Sequence, residues 1–129
     1  MMDQNEDRRA LDRVRIKGAE VFYRFSKEMN LLSPFSGPGP LEDLTWSSLR
    51  FTTGKSLHAG ELVEVEISIP NEDKVRVRGY LIWTSDMPVN EKYYAVVQFL
   101  PYGTGKSYNS MKVKDRLQEL VEKYSSLRD

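Results

Sequence analysis

A two-residue alternation of apolar and polar positions dominates the middle of the chain. Across Leu62–Pro70, Val63, Val65, Ile67 and Ile69 alternate with Glu64, Glu66 and Ser68, the pattern of a strand with one wet face. Asn71–Asp73 supplies turn chemistry. In Val75–Trp83, Val75, Val77, Leu81 and Trp83 alternate with Arg76, Arg78 and Tyr80. The two segments predict an antiparallel hairpin, with Glu64 and Glu66 facing Arg76 and Arg78 on a solvated sheet face. Ser85–Asn90 reads as a second turn. Tyr93–Leu100 is a further strand, with Tyr93, Ala95, Val97 and Phe99 on one side. Ala19–Phe25 is another, with Ala19, Val21, Tyr23 and Phe25 on one face and Glu20 and Arg24 on the other; Phe22 breaks its alternation. A shorter strand is expected over Leu44–Thr53.

Between the first strand and the rest lies the least regular stretch, Ser26–Pro40. Pro34, Gly37, Pro38, Gly39 and Pro40 remove donors and fix or free the backbone, so no ladder is expected to run through it. Leu31, Leu32 and Phe35 are expected to tuck under this loop onto the core. After a loop at Pro101–Ser110 the period changes. Val113, Leu117, Leu120, Val121, Tyr124 and Leu127 recur at helical spacing, which predicts one helix over Met111–Leu127. The predicted class is therefore mainly β. Short antiparallel strands in hairpin succession, followed by a single helix, predict a small barrel closed so that no edge is bare. The expected division is a polar tail at 1–7, a barrel domain at 8–110 and the C-terminal helix at 111–129.

Composition narrows the function classes. The chain has 129 residues with 19 basic and 19 acidic side chains, so one domain is expected and its net charge is zero. A general DNA or RNA binder would show a basic excess; here an anionic ligand has to be held by a few placed cations. The absence of cysteine excludes disulfides, thiolate metal sites and cysteine nucleophiles. The longest apolar run, Tyr93–Val97, is far short of the ~20 residues of a membrane span. The charged start, MMDQNEDRRALDR, is unlike a signal peptide. A soluble, cytoplasmic protein without membrane insertion is the expectation.

Few residues carry a catalytic pattern. Gly103-Thr104-Gly105-Lys106-Ser107 resembles the end of a phosphate-binding loop, but the position five residues before Gly105 is Leu100 rather than glycine, and hairpin turns lack the parallel setting such a loop needs. It reads as a connector. His58 is the only histidine and sits in a turn with Lys55 and Gly60, without signalled partners for a triad or a metal. The carboxylates are scattered over strand faces and helix turns, and no pair stands out as a general acid and base. No enzyme is expected; a small nucleotide-hydrolysing or flavin-binding barrel remains the alternative outside a binding role.

Two segments offer binding chemistry instead. Arg9 and Arg13 stand four apart before the first strand, with Arg8 adjacent. A guanidinium keeps its charge, forks onto phosphate oxygens and stacks on a base. Thirty residues on, Asp43-Leu44-Thr45-Trp46-Ser47-Ser48 combines an acceptor-only carboxylate, hydroxyls and a tight turn, a set that can read the donor edge of guanine.

RRALDRVRI, EDLTWSSLRF, GELVEVEISIP, VRVRGYLIWT and YYAVVQFL, in this order, resemble a PilZ domain over about residues 7–101. That family joins an RxxxR motif to a D/NxSxxG motif on a six-stranded β-barrel of split-barrel type, and many members are bacterial receptors for cyclic di-GMP, a second messenger tied to motility and biofilm formation. The resemblance implies that Arg9 and Arg13 grip the ligand's phosphates and stack on guanine, with Arg8 as an extra phosphate contact. It implies that Asp43 accepts from the guanine edge and that Thr45 stands where the family has serine. It also implies a downstream protein partner, and no cofactor beyond the ligand. Ser48 occupies the glycine position of the motif, where a Cβ is expected to strain the backbone and weaken binding. The alternative within the family is an adaptor that binds proteins and no cyclic di-GMP. The polar tail is expected to become ordered when the ligand binds the arginines.

Overall fold

The structure, a computed structural model, describes residues 13–25 and 34–126. The expected tail, Arg8, Arg9, Leu31, Leu32 and Leu127 lie outside the described residues. Six strands, β1 (Glu20–Phe25), β2 (Ser36–Leu44), β3 (Ser48–Thr53), β4 (Leu62–Ser68), β5 (Val75–Thr84) and β6 (Tyr93–Phe99), are followed by helix α1 (Met111–Ser126). The strands form a closed barrel in the order β1-β2-β3-β6-β5-β4, antiparallel throughout, with β4 returning to pair with β1. The expected mainly-β class, six-stranded barrel and terminal helix are all present.

The alternation of the sequence is the alternation of the wall. Val63, Val65 and Ile67 on β4, Val75, Val77 and Leu81 on β5, and Ala95, Val97 and Phe99 on β6 fill the interior. They meet Val21 and Tyr23 from β1 and Leu49 and Phe51 from β3. The Tyr23 and Phe51 rings lie 5.3 Å apart, and the Tyr23 hydroxyl is 2.8 Å from Thr53 Oγ1, so the one polar tip in this cluster is satisfied. Trp83 departs from the expected pattern. The β5–β6 register shifts between Leu81 and Trp83, and the irregularity turns Trp83 outward, where it is half exposed beside Ile82.

The glycine- and proline-rich stretch is not the expected loop. Ser36–Leu44 is strand β2, inserted between β1 and β3. Leu41 N–H donates to the Ala19 carbonyl at 3.0 Å, so by the antiparallel alternation the Pro40 nitrogen faces away from β1. On its other side the β2–β3 register begins at Leu41 opposite Phe51. No ladder partner therefore asks a donor of Pro40. Gly39 is buried against β3: a Cβ there would stand 2.0 Å from the Thr52 carbonyl oxygen. Gly39, which looked like a loop former, is the residue that lets the backbones of β2 and β3 approach. The expected single strand Leu44–Thr53 is likewise corrected. It is divided by a turn at Thr45–Ser47 into the end of β2 and all of β3.

The face carrying Glu64 and Glu66 is not simply solvated. Arg24 Nη2 lies 2.8 Å from Glu64 Oε1, and Arg76 Nε donates to Glu66 Oε2 at 2.8 Å. Phe35 lies outside the barrel rather than in its core, its ring 4.4 Å from the Arg24 guanidinium and 5.1 Å from that of Arg76. Arg78 sits opposite Glu64 in the register but donates to the Tyr108 carbonyl at 2.6 Å.

Helix α1 is capped by Ser110, whose hydroxyl accepts from Val113 N–H at 3.2 Å, and it buries Leu117, Leu120 and Val121 against the barrel. The connector before it is clasped by buried Asn109. Its amide group donates to the Arg78 and Leu100 carbonyls and accepts from Arg78 N–H. Gly103–Ser107 is thus an exposed excursion from a pinned loop, and Lys106 is separated from the helix start by Ser107–Ser110.

Glu72, in the β4–β5 turn, holds the far end of the helix. Its carboxylate accepts from Lys123 at 2.6 Å, Tyr124 at 2.7 Å and Arg116 at 2.8 Å. Those donors, Lys123 foremost, lower its pKa from 4.5 to about 2. A depressed carboxylate contributes stability that is complete above its unfolded pKa and is lost as pH falls toward the folded one. The chain is expected to lose stability between pH 4.5 and about 2 more steeply than its Glu72→Gln variant. Denaturant titrations across that window measure both slopes; parallel curves would remove the clasp from the account.

Candidate functional site

The site forms where the segment before β1 meets the β2–β3 hairpin. Val14 and Leu44 exchange two backbone hydrogen bonds, each 3.0 Å, in an isolated antiparallel bridge. Val14 and Ile16 point inward and are buried, which turns Arg13, Arg15 and Lys17 outward. A register irregularity between Leu41 and Asp43 acts alongside this bridge. Leu41 and Leu44 both face the core although three positions apart, and the extra residue leaves Glu42 and Asp43 on the outer side. Arg15 takes Glu42, Nη2 to Oε1 at 2.6 Å. Asp43 meets Arg50 of β3, its direct cross-strand partner, with Arg50 Nη2 2.7 Å from Asp43 Oδ2.

The turn between the strands is held by Thr45. Its hydroxyl accepts from Ser47 N–H at 3.1 Å and from Ser48 N–H at 2.9 Å, while Thr45 N–H donates to the Ser48 carbonyl at 2.9 Å. Serine or threonine supplies the same oxygen, so the methyl of Thr45 leaves this function intact. Trp46 at the tip stacks on Tyr102, ring centres 6.0 Å apart, and the Tyr102 hydroxyl donates to the Trp46 carbonyl. Burial pushes the Tyr102 phenol well above its ordinary pKa, so it stays a donor. Lys114 of α1 lies 5.7 Å from the Trp46 ring. The hairpin tip is thereby braced by the segment after β6 and by the helix.

The strain expected at Ser48 is absent. Among the described residues the non-glycine positions with positive φ are Asn71, Asn90 and Glu91. Ser48 opens β3 in ordinary strand backbone, and its hydroxyl lies 3.0 Å from Thr45 Oγ1. Ser48→Gly is therefore expected to lower stability by about 0.5–1 kcal/mol, the entropic cost of glycine in a strand, and not to tighten ligand binding. Paired melting and calorimetric titration check both; tighter binding by the glycine variant would restore the strain argument.

Arg13, Asp43, Thr45, Ser47, Ser48, Leu49, Arg50 and Val96 line one cleft of about 250 Å³ on the barrel's outer wall. The second arginine of the RxxxR pair and all three residues singled out in the later motif are thus brought together; Arg8 and Arg9 lie outside the described residues. Sequence reasoning missed Arg50. The available signal was its place seven residues after Asp43 across a tight turn, which makes the two cross-strand neighbours.

No protein-family model matches the sequence, and no curated protein is similar to it. Similar solved structures exist. One is the Bacillus subtilis inhibitor of motility MotI/DgrA, at a TM-score of 0.62 and 14% identity, covering 92% of this chain and 52% of that one. Another is Borreliella burgdorferi PlzA in complex with cyclic di-GMP, at a TM-score of 0.44 and 12% identity, covering 95% of this chain and 50% of that one. The chain spans about half the length of each. Its barrel order, its hairpin and the fold likeness to MotI/DgrA agree: this chain has the PilZ-domain fold.

Proposed function

We propose that the chain is a receptor for cyclic di-GMP that passes the ligand's level to a partner protein, with no catalytic step of its own. The observation that carries this is the Val14–Leu44 bridge, which puts Arg13 into the same cleft as Asp43, Thr45 and Ser48. A forked cation for phosphate and an acceptor-only carboxylate for a donor edge are the two halves of guanine nucleotide recognition. Arg8 and Arg9 complete the cationic set in this proposal, and the RxxxR segment is the element that relays occupancy to the partner. The neighbour that shares the fold is by name an inhibitor of motility, which supports a regulatory role; action on another protein in the bacterial cytoplasm is part of the proposal.

The Asp43–Arg50 ion pair favours a second reading, an adaptor that binds a protein and no cyclic di-GMP, because the carboxylate already has a cation beside it. Calorimetric titration of the purified chain separates the two. Saturable heat with cyclic di-GMP, and none with GTP at the same concentration, is the expected result. No heat with cyclic di-GMP would overturn the receptor reading and leave the adaptor.

A further inference from the structure

We propose that Arg50 is a base-reading residue of this cleft, forming with Asp43 one continuous edge that selects guanine over adenine; the inference rests on the cyclic di-GMP reading above. Asp43 and Arg50 face each other across β2 and β3, Nη2 to Oδ2 at 2.7 Å. The contact brings the charges together without an aligned hydrogen bond. Asp43 Oδ2 and Arg50 Nε are both buried, and neither has a hydrogen-bond partner. Both atoms are closed to solvent, so a base in the cleft would meet the remaining carboxylate and guanidinium atoms of the pair, which this contact holds side by side. The Arg50 guanidinium lies 5.6 Å from the centre of the Tyr94 ring, which limits its swing, and its side chain is still 42% exposed at the cleft.

The order of groups along guanine fits this pair. Its edge presents two donors, N2–H and N1–H, followed by two acceptors, O6 and N7. Asp43 is an acceptor-only group and Arg50 a donor-only fork. Side by side, they match the run: the carboxylate accepts from N2–H and N1–H while the guanidinium donates to O6 and N7. Adenine keeps N7 but reverses the two middle contacts and lacks the N2 donor. Its N1 lone pair would face the carboxylate, and its amino group would face the guanidinium. Like groups would then meet in a half-buried cleft, and of the four contacts only the one from the guanidinium to N7 would survive. Lysine would keep the charge beside Asp43 but has no planar fork.

The test is calorimetric titration of the full chain and of Arg50→Lys and Arg50→Gln with cyclic di-GMP and with cyclic di-AMP, alongside their melting temperatures. The full chain is expected to favour cyclic di-GMP by about a hundredfold or more, and both variants to lose about tenfold or more of that ratio, chiefly through weaker cyclic di-GMP binding. Arg50→Lys retains an ion pair with Asp43, so it is expected to melt as the full chain does and carries the test should Arg50→Gln fail to fold. A ratio preserved in Arg50→Lys overturns the role of Arg50 and leaves the receptor reading standing. Absence of cyclic di-GMP binding by the unaltered chain overturns that reading and this inference with it.

Discussion

Replacing Arg13 by alanine is expected to weaken cyclic di-GMP binding about ten- to a hundredfold, the value of one charge-assisted hydrogen bond at about 1.5–3 kcal/mol. Arg13 is exposed at the cleft, next to Val14 in the bridge that fixes the local backbone. The substitution removes the guanidinium and leaves that bridge, so the barrel is expected to stay folded while affinity falls. Arg13→Lys is expected to recover little, because a point charge neither forks onto two phosphate oxygens nor stacks on a base. Arg9→Ala is expected to behave in the same way. Titration of the three variants measures this, and full affinity in both alanine variants would remove the arginine clamp from the proposal.

Gly39→Ala is expected to be the most damaging single methyl addition in β2. Its Cβ would stand 2.0 Å from a backbone oxygen of β3, and 3.3 Å from the Phe51 ring. Backbone cannot swing aside as a side-chain tip can, so β2 and β3 have to separate. Overpacking of this kind costs about 1–3 kcal/mol, and a backbone obstacle puts the expected loss at about 3 kcal/mol. The damage is not confined to stability. Asp43 and Arg50 are cross-strand partners on the same two strands, so ligand affinity is expected to fall with it. Gly54→Ala is the control, since nothing lies within 4 Å of its added methyl. Urea unfolding of the two variants gives the comparison, and equal midpoints would show that the β2–β3 approach is not tight.

Much of this was legible in the sequence where one physical preference acted alone. The alternation in Leu62–Ser68 and Val75–Leu81 needed only a wet face and a dry one, and it became β4 and β5. The helical spacing from Val113 to Tyr124 became the buried stripe of α1. The reading failed where two preferences competed. Gly37–Pro40 carries the composition of a loop, yet it forms part of a strand because close approach to β3 demands glycine and the one-sided ladder tolerates proline. Trp83 kept the alternation on paper, but a shift in register beside it sent the ring outward. At the candidate site, the arginines and Asp43 were visible as residue types. Arg50 was not, because its meaning comes from standing opposite Asp43, a fact of register rather than composition. Ser48 was misjudged for a related reason. A glycine in a motif can mark backbone strain, whereas this position lies in ordinary strand conformation with its hydroxyl 3.0 Å from that of Thr45.

The two seams that close the barrel join strands distant along the chain: β1 with β4, and β3 with β6. Neither seam can form by zipping a neighbouring hairpin. Both demand that long loops close before any contact rewards the closure, which places this chain among slow-folding, high-contact-order topologies. The candidate cleft inherits that cooperativity. Its Arg50 belongs to a strand whose second neighbour is β6, and its Arg13 is fixed by a bridge to a strand already locked between β1 and β3. A peptide carrying only the hairpin has every side chain of the later motif and none of the closure. In the proposed receptor, recognition is therefore expected to be a property of the completed ring and not of the hairpin alone.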